Sequence, residues 1–458
     1  MIWNGIVNAV NGARRPGEPP LEVGPLPWLG SALAFGKNLG DLLRGCQQRH
    51  GDVFTLVVAG KRMTFVLDPL DFPEVLRRVE ELSFVEIADD ISAKAFGHSR
   101  AVEKQMSQEA VHAQYSSHLK AANIGALSAR MAEELSLILD DAPGGWQPGE
   151  LFAFVSRCMF SAGTDALFGS GVAGADALRA FQRFDRQFPL LVAGVPARLL
   201  ARVERSRQLL AGLVGALRPD ASAFIAERDR YFTGLVSELD KQRMQLGMLW
   251  AAQANTIPAA FWTLAFVLAD RHARAAIDEE IAAAGGRFGK DELKKMVKLD
   301  SAISEALRLS SGSLTIRRVT RPFVLALESG GRHALREGDR VCLFPYLTHR
   351  DPELYPEPEH YQFDRFLGKQ FFKRGKKVGF ALMPYGGGVS MCPGRFLAHE
   401  EVKLFVAMLL DRYEVELLDD RLPSLDQRRA GLGILPPLSD VAFRYRRKAA
   451  ARATAVGP

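Results

Sequence analysis

Apolar residues recur at helical spacing over most of this chain and alternate at strand spacing in only a few short stretches. The opening segment, residues 1–31, fits neither pattern. Its part from 13 to 31 is rich in proline and glycine and predicts an extended lead-in rather than helix. Residues 39–50 predict a short helix. Residues 53–66 alternate, carry Val, Thr and Phe, and have Gly60 and Lys61 at the centre, which is the signature of a β-hairpin. Helix resumes over 71–79. Residues 84–98 read as irregular, with Phe84, Ile87, Ile91 and Phe96 as their apolar points. Helical patterning then dominates from about 112 to 250, punctuated by glycines at 144–149 and 169–174. Within it, residues 188–200 are apolar and contain two prolines, a pattern that suits either a mobile lid between helices or a buried connector.

The stretch 247–262 (Gly-Met-Leu-Trp-Ala-Ala-Gln-Ala-Asn-Thr-Ile-Pro-Ala-Ala-Phe-Trp) is apolar on nearly all sides and predicts a buried helix kinked at Pro258. Its Gln253, Asn255 and Thr256 then need hydrogen-bond partners. Residues 299–309 predict a helix with Glu305 and Arg308 on one face, close enough to pair; alone, such a pair is an ordinary surface feature. Residues 313–318 and 341–347 read as strands, and the basic tail over 446–458 as frayed. With no linker, low-complexity block or repeat, the chain predicts a single domain over 1–458, mainly α with small β-sheets.

Candidate chemistry concentrates in residues 383–398, Met-Pro-Tyr-Gly-Gly-Gly-Val-Ser-Met-Cys-Pro-Gly-Arg-Phe-Leu-Ala. Three glycines let the backbone turn tightly and approach something flat. Cys392 follows, and then a run of helical periodicity from 395 to 410. A thiolate at a helix N-terminus is favoured by the dipole and by free N–H groups, which suits a metal ligand held against a large cofactor. A buried structural cysteine after a glycine turn fits the same residues.

This loop resembles that of the cytochrome P-450 superfamily of haem-thiolate enzymes, Phe-x-x-Gly-x-x-x-Cys-x-Gly, with Tyr385, Gly388, Cys392 and Gly394 at the family's positions. Tyr385 replaces the usual Phe, and Ser390 stands where the family often has a basic residue for a haem propionate. The resemblance runs from about residue 16 to 445. It implies the cytochrome P-450 fold, haem b as cofactor and Cys392 as the iron ligand. Residues 355–366 resemble the family's Pro-x-x-Phe-x-x-x-Arg-Phe element, so Arg365 would join Glu305 and Arg308 in a buried structural brace. Arg317 aligns with a propionate-binding arginine. The family's Trp-x-x-x-Arg element is missing from 115–120, which leaves His118 or Lys120 as stand-ins.

In the 247–262 helix the family's acid–Thr pair falls on Ala254 and Asn255, so proton delivery would rest on Asn255 and Thr256. This helix and residues 425–438 resemble the branch that holds cholesterol 7α-hydroxylase, oxysterol 7α-hydroxylase, sterol 12α-hydroxylase and prostacyclin synthase. The resemblance would set Ile91, Phe96, Ala251, Leu432 and Ile434 against a substrate, and ordinary packing explains several of the same residues equally well. It implies hydroxylation of a steroid or similar hydrophobic lipid, with dioxygen and two electrons from a ferredoxin-type or other donor. The alternative within the branch is a lipid peroxide or endoperoxide isomerase that needs no reductase. A non-catalytic haem carrier or sensor is a third reading, which the Pro258 helix and the brace disfavour.

Composition changes this picture little. The chain has 458 residues, is 47% hydrophobic and carries a formal net charge of +6, spread along its length. That gives no reason to expect nucleic acid. It does raise a basic face for an acidic electron donor, with Lys373, Arg374, Lys376 and Lys377 just ahead of the cysteine loop. Cys46, Cys158, Cys342 and Cys392 form no paired framework, which fits a reducing compartment, and Cys342 reads as an inert buried thiol. Residues 1–10, interrupted by Asn4 and Asn8, fall short of the roughly 20 apolar residues of a transmembrane anchor and lack a signal-peptide core. The expectation is a cytoplasmic monomer, with peripheral contact at a membrane left open.

Overall fold

In the computed structural model, which describes residues 13–140, 145–419 and 421–448, the proline-rich lead-in contributes the two-residue strand β1 (Leu21–Glu22). Residues 1–12, on which the expectation about an anchor rests, lie outside the described residues. Helix α1 (Leu39–His50) starts at Asn38, whose side chain accepts the Asp41 N–H at 3.1 Å. The alternating stretch forms β2 (Val53–Val58) and β3 (Lys61–Val66), antiparallel and joined by a two-residue turn at Ala59 and Gly60. Both turn residues have positive φ, as such a hairpin requires. The expected helix over 71–79 is the single turn Phe72–Leu76. With β4 (Leu82–Ser83), β6 (Thr315–Val319) and β9 (Arg340–Leu343), these strands make a six-stranded sheet of order β1-β2-β3-β9-β6-β4. The last strand is shorter than expected because Pro345 opens the helical turn Pro345–Thr348.

Residues 84–98 are not irregular. They form α2 (Val85–Phe96), closed by Gly97 in the left-handed region. Ile87, Ile91 and Ala95 at four-residue spacing were the available helical signal. The helical body continues through α3 (Gln108–Leu119), α4 (Gly125–Asp140), α5 (Leu151–Phe168), α6 (Ala175–Val192), α7 (Ala201–Gly215) and α8 (Ala223–Phe232). Helix α6 runs on through Pro189. Phe188 and Leu191 are buried while Leu190 and Leu199 are exposed, so the 188–200 stretch is a helix end and a surface turn in one.

The expected single helix at 247–262 is two: α9 (Glu238–Gln253) and α10 (Thr256–Ala269). The break falls at Ala254–Asn255, one turn before Pro258. Proline lacks an N–H for the carbonyl four residues back, Ala254, and its ring crowds that carbonyl, so the ladder opens there. Pro258 itself sits in the first turn of α10, where its N–H would be free in any case. Helix α10 packs against α5, α11 (Val297–Ser310) and α12 (Arg395–Arg412), at the centre of the main core. Among the described residues two stretches, Leu151–Phe168 and Glu238–Ala269, are long and apolar enough to cross a membrane, but their apolar windows of 18 residues are 67% and 72% buried inside the fold.

Strands β12 (Tyr413–Leu417) and β13 (Ala442–Arg447) close a second sheet with β5 (Gln147–Glu150). The tail is therefore paired as far as Arg447, and the Lys448 N–H donates to Arg412 O at 2.8 Å. The expectation of fraying is corrected for 446–448; residues 449–458 lie outside the described residues.

Candidate active site

The glycine loop turns through positive φ at Gly386 (71°) and Gly388 (68°). Between them Gly387 is extended, and a Cβ there would lie 2.8 Å from Met383 Cε and 2.9 Å from Leu76 Cδ1. The loop thus needs glycine for conformation at two positions, while a Cβ at the third would have to displace the ends of two flexible side chains. It delivers Cys392 to the N-terminus of α12, where the Cys392 N–H donates to Tyr385 O at 2.9 Å. Cys46, Cys158 and Cys342 are buried, whereas Cys392 is exposed onto a cavity of about 560 Å³. Burial still pushes its thiol above the ordinary value, against the Gly394 and Arg395 N–H groups and the Arg395 charge, which pull it down. The helix N-terminus alone does not make the expected thiolate; a coordinated cation would.

Behind the loop stands the brace. Arg308 grips both oxygens of Glu305, Nε to Oε2 at 2.7 Å and Nη2 to Oε1 at 2.8 Å. Arg365 Nε donates to Oε1 at 2.9 Å, and the Gln362 N–H adds a donor at 3.1 Å. All three side chains are buried. The spare guanidinium hydrogens go to carbonyls, Arg308 to Pro358 at 2.6 Å and Arg365 to Pro356 at 2.9 Å. His349, which no sequence pattern marks, ties brace to loop. Its carbonyl accepts from Arg308 Nη1, and its ring Nε2 accepts the Met383 N–H at 3.0 Å. Because Nε2 accepts, the ring proton sits on Nδ1. Burial, with Arg350 and Arg308 nearby, holds this imidazole neutral, well below its usual pKa. The link passes through a backbone N–H, which is why composition could not reveal it.

Arg317 lines the cavity from β6 and is buried. Its Nη1 donates to Ile316 O at 2.9 Å and its Nη2 reaches Gly387 O only at 3.5 Å; no carboxylate pairs with it among the described residues. Burial lowers its pKa with nothing opposing. A buried cation without a counter-ion is costly, so the Arg317 guanidinium is left needing an acidic partner. A flat glycine wall, a thiol open to the cavity and an orphaned arginine together fit haem b, with one propionate on Arg317. Arg317→Leu is expected to fold but release haem faster than wild type, read as transfer to an apoglobin acceptor.

Other expected residues separate. Tyr385, Gly394, Asn255, Thr256, Ala251, Leu432 and Ile434 line the cavity with Cys392. Gly388 shapes the loop against Leu76 instead. Lys120 is exposed at the end of α3, and His118 is engaged by Glu227 at 2.6 Å. The face of α3 turned to the cavity carries Tyr115 and Leu119, one turn apart, and residues 118 and 120 fall beside it. Ile91 and Phe96 are outside the lining. Ile91 is half-buried on α2, and Phe96 packs on Phe184, Phe188 and Trp250 at ring distances of 6.1, 5.8 and 6.0 Å. Phe84 takes a place in the wall instead, with the Arg317 guanidinium 5.0 Å from its ring. Glu401, also unforeseen, is a buried acid in the lining whose pKa burial raises to about 8, with Glu400 adding to it.

The helix break gives its polar residues separate partners. Thr256 Oγ1 donates to Ala252 O at 2.7 Å, and Asn255 Oδ1 accepts the Ile434 N–H at 2.8 Å. Gln253 lies against Gly163, and its Oε1 has no partner among the described residues. The basic run before the loop is largely neutralised. Lys373 pairs with Asp351 at 2.6 Å, Lys376 with Glu328 at 2.6 Å, and Arg374 with Asp68.

The family profile described as Cytochrome P450 matches residues 19–197 and 221–443. Cytochrome P450 7A1 of Sus scrofa is 37% identical to the chain over 475 residues, covering 95% of the chain and 94% of the relative. Cholesterol 7-alpha-monooxygenase of Cricetulus griseus is 36% identical at 95% and 94% coverage. The 7-alpha-hydroxycholest-4-en-3-one 12-alpha-hydroxylase of Homo sapiens is 35% identical at 94% and 94% coverage. With a cysteine loop, a buried Glu–Arg–Arg brace and a cavity lined by α10 and α12 already in place, the chain belongs to the cytochrome P450 family and is a haem-dependent oxidoreductase of the monooxygenase type.

Proposed function

We propose that this enzyme hydroxylates a steroid or similarly rigid hydrophobic lipid, using dioxygen and two electrons from a redox partner. The observation that carries this reading is the apolar part of the cavity lining, Trp250, Ala251, Leu314, Leu432 and Ile434, with Asn255 and Thr256 as polar groups at the helix break. Such a cavity suits a large apolar ligand oriented by few polar contacts. The names of the similar relatives point to sterol hydroxylation rather than to peroxide isomerisation.

When bound, haem b supplies the redox chemistry that splits dioxygen, and a cysteine thiolate ligand favours O–O cleavage. Cys392 would be that ligand and Arg317 would hold a propionate, while the Glu305–Arg308–Arg365 brace with His349 keeps the loop in position. The apolar wall excludes bulk water and orients the substrate. Overall, one oxygen atom enters a substrate C–H bond and the other leaves as water, consuming two electrons and two protons. With Ala254 at the acid position, protons pass through water held at Asn255 and Thr256.

The donor is of the ferredoxin type, meeting the thiolate side where Lys377 is exposed and Arg395 half-buried. The enzyme acts as a monomer, cytoplasmic or peripheral at a membrane. The test is turnover of a steroid panel with NAD(P)H and a ferredoxin–reductase pair, beside a lipid hydroperoxide assay without reductant. Product that requires both electrons and dioxygen is expected. Product from hydroperoxide alone, with none from the steroids, would replace this reading with isomerisation.

A further inference from the structure

The two ends of the Asn255 amide face different tasks. Its oxygen accepts the Ile434 N–H at 2.8 Å, and since a backbone N–H can only donate, this settles which end is oxygen. Its Nδ2 has no hydrogen bond among the described residues, and the residue lines the cavity. The contact depends on Gly433. That residue has φ +126°, and a Cβ on it would lie 2.0 Å from Asn255 Oδ1. Asn255 reaches the turn only because position 433 has no side chain.

The turn is held on several sides. Gly431 N–H donates to Gly312 O at 2.7 Å, Gly312 N–H to Gly433 O at 2.8 Å, and Leu435 N–H to Ser310 O at 2.9 Å. Trp262 Nε1 donates to Leu435 O at 2.7 Å. Where the turn begins, Arg429 pairs with Asp185 of α6 at 2.8 Å, and Trp250 Nε1 donates to the same carboxylate oxygen at 2.9 Å. Between these anchors Leu432 and Ile434 line the cavity, and the Ile434 N–H carries their position to the helix break.

We propose that the Asn255–Ile434 hydrogen bond couples substrate fit to oxygen use, making Asn255 and Gly433 positioning residues that tie the substrate-facing turn to the amide that orders the proton-carrying water. The inference rests on the monooxygenase reading above. A substrate that seats Leu432 and Ile434 correctly leaves Nδ2 directed at the cavity, where it orders water. One that displaces the turn rotates the amide. Dioxygen then takes two electrons and two protons and leaves as hydrogen peroxide, and the substrate C–H bond stays intact.

The test is a double-mutant cycle on the holoenzyme with Asn255→Ala, Gly433→Ala and both together, each first checked by its ferrous–carbon monoxide spectrum. Two quantities are read: peroxide released per NAD(P)H with the best steroid of the panel, and the dissociation constant of 4-phenylimidazole from its spectral shift, which needs no turnover. Each single change is expected to raise the peroxide share roughly threefold or more, and the double no further than the worse single, as for residues acting through one contact. Asn255→Asp keeps an acceptor for the Ile434 N–H but loses the N–H donor, so it should keep wild-type phenylimidazole affinity while Asn255→Ala and Gly433→Ala weaken it. Additive effects, or a Gly433→Ala enzyme with the wild-type peroxide share, would overturn the proposal. If no steroid is turned over, the hydroxylation reading fails while the phenylimidazole cycle still decides the coupling of turn and amide.

Discussion

Cys392→Ala is expected to lose the red-shifted Soret band of the ferrous–carbon monoxide complex and, with it, substrate oxidation, while the protein stays folded. The loop does not depend on the sulfur for its shape. The residue 392 N–H still donates to Tyr385 O, and the glycine turns at 386 and 388 are untouched. No other thiol can take over. Cys46, Cys158 and Cys342 are buried away from the cavity, and burial pushes the Cys158 thiol up to about 12 and Cys342 higher still, which keeps both protonated. Haem retained on Arg317 and the apolar walls would therefore show a spectrum without thiolate. Persistence of the red-shifted band in this variant would mean the ligand has been wrongly placed.

Glu305→Leu should do more damage to the protein than any surface charge change. It removes the one carboxylate that accepts from Arg308, Arg365 and the Gln362 N–H, and leaves two buried guanidinium groups unpaired. Breaking a buried pair from one side costs about 3–5 kcal/mol, a large part of the roughly 5–15 kcal/mol that holds a protein folded. The damage should reach the haem site through a defined path. Arg308 also donates to the His349 carbonyl, and His349 Nε2 holds the Met383 N–H at the start of the cysteine loop. Thermal unfolding should move well down, and the surviving holoenzyme should convert readily to the blue-shifted carbon monoxide complex. Glu416→Gln is the control. It breaks an exposed pair with Arg444 on β12–β13 and should change stability by no more than about 0.5 kcal/mol. Equal effects of the two changes would show that the buried cluster is not a brace.

Much of this was legible without coordinates where local chemistry decides. The hairpin over 53–66, the helix over 39–50 and the cysteine loop depend on neighbours in sequence: alternation, a cap, glycines that permit positive φ. The Glu305–Arg308 spacing was likewise visible, because three residues apart on a helix is contact distance. What was not visible was where such a pair sits. Glu-x-x-Arg reads as a surface feature until the Arg365 segment folds over it and removes all three from water.

The corrections have one physical origin. The sequence reads the segment of Ile91 and Phe96 as irregular and sets both against a substrate, but it forms a helix that turns Phe96 into the core against α6 and α9. Lys120 and His118 were offered to a propionate, but the cavity-facing side of α3 carries residues 115 and 119. The kink assigned to Pro258 lies at Asn255, because the proline acts on the carbonyl one turn upstream. In the first two cases the direction of a side chain, not its identity, was the missing quantity.

The sequence by itself therefore determined the fold family and the residues of the brace, and it singled out Cys392 as the candidate iron ligand, since these readings rest on residue types at short, fixed spacings. Only the tertiary structure decided that Arg317 is an orphaned cation facing the cofactor space, that His349 joins brace to loop, and that Asn255 bonds to a turn 179 residues further along the chain. Those are contacts between distant segments. Their existence depends on burial and on backbone N–H groups, which every residue but proline carries and no sequence pattern distinguishes.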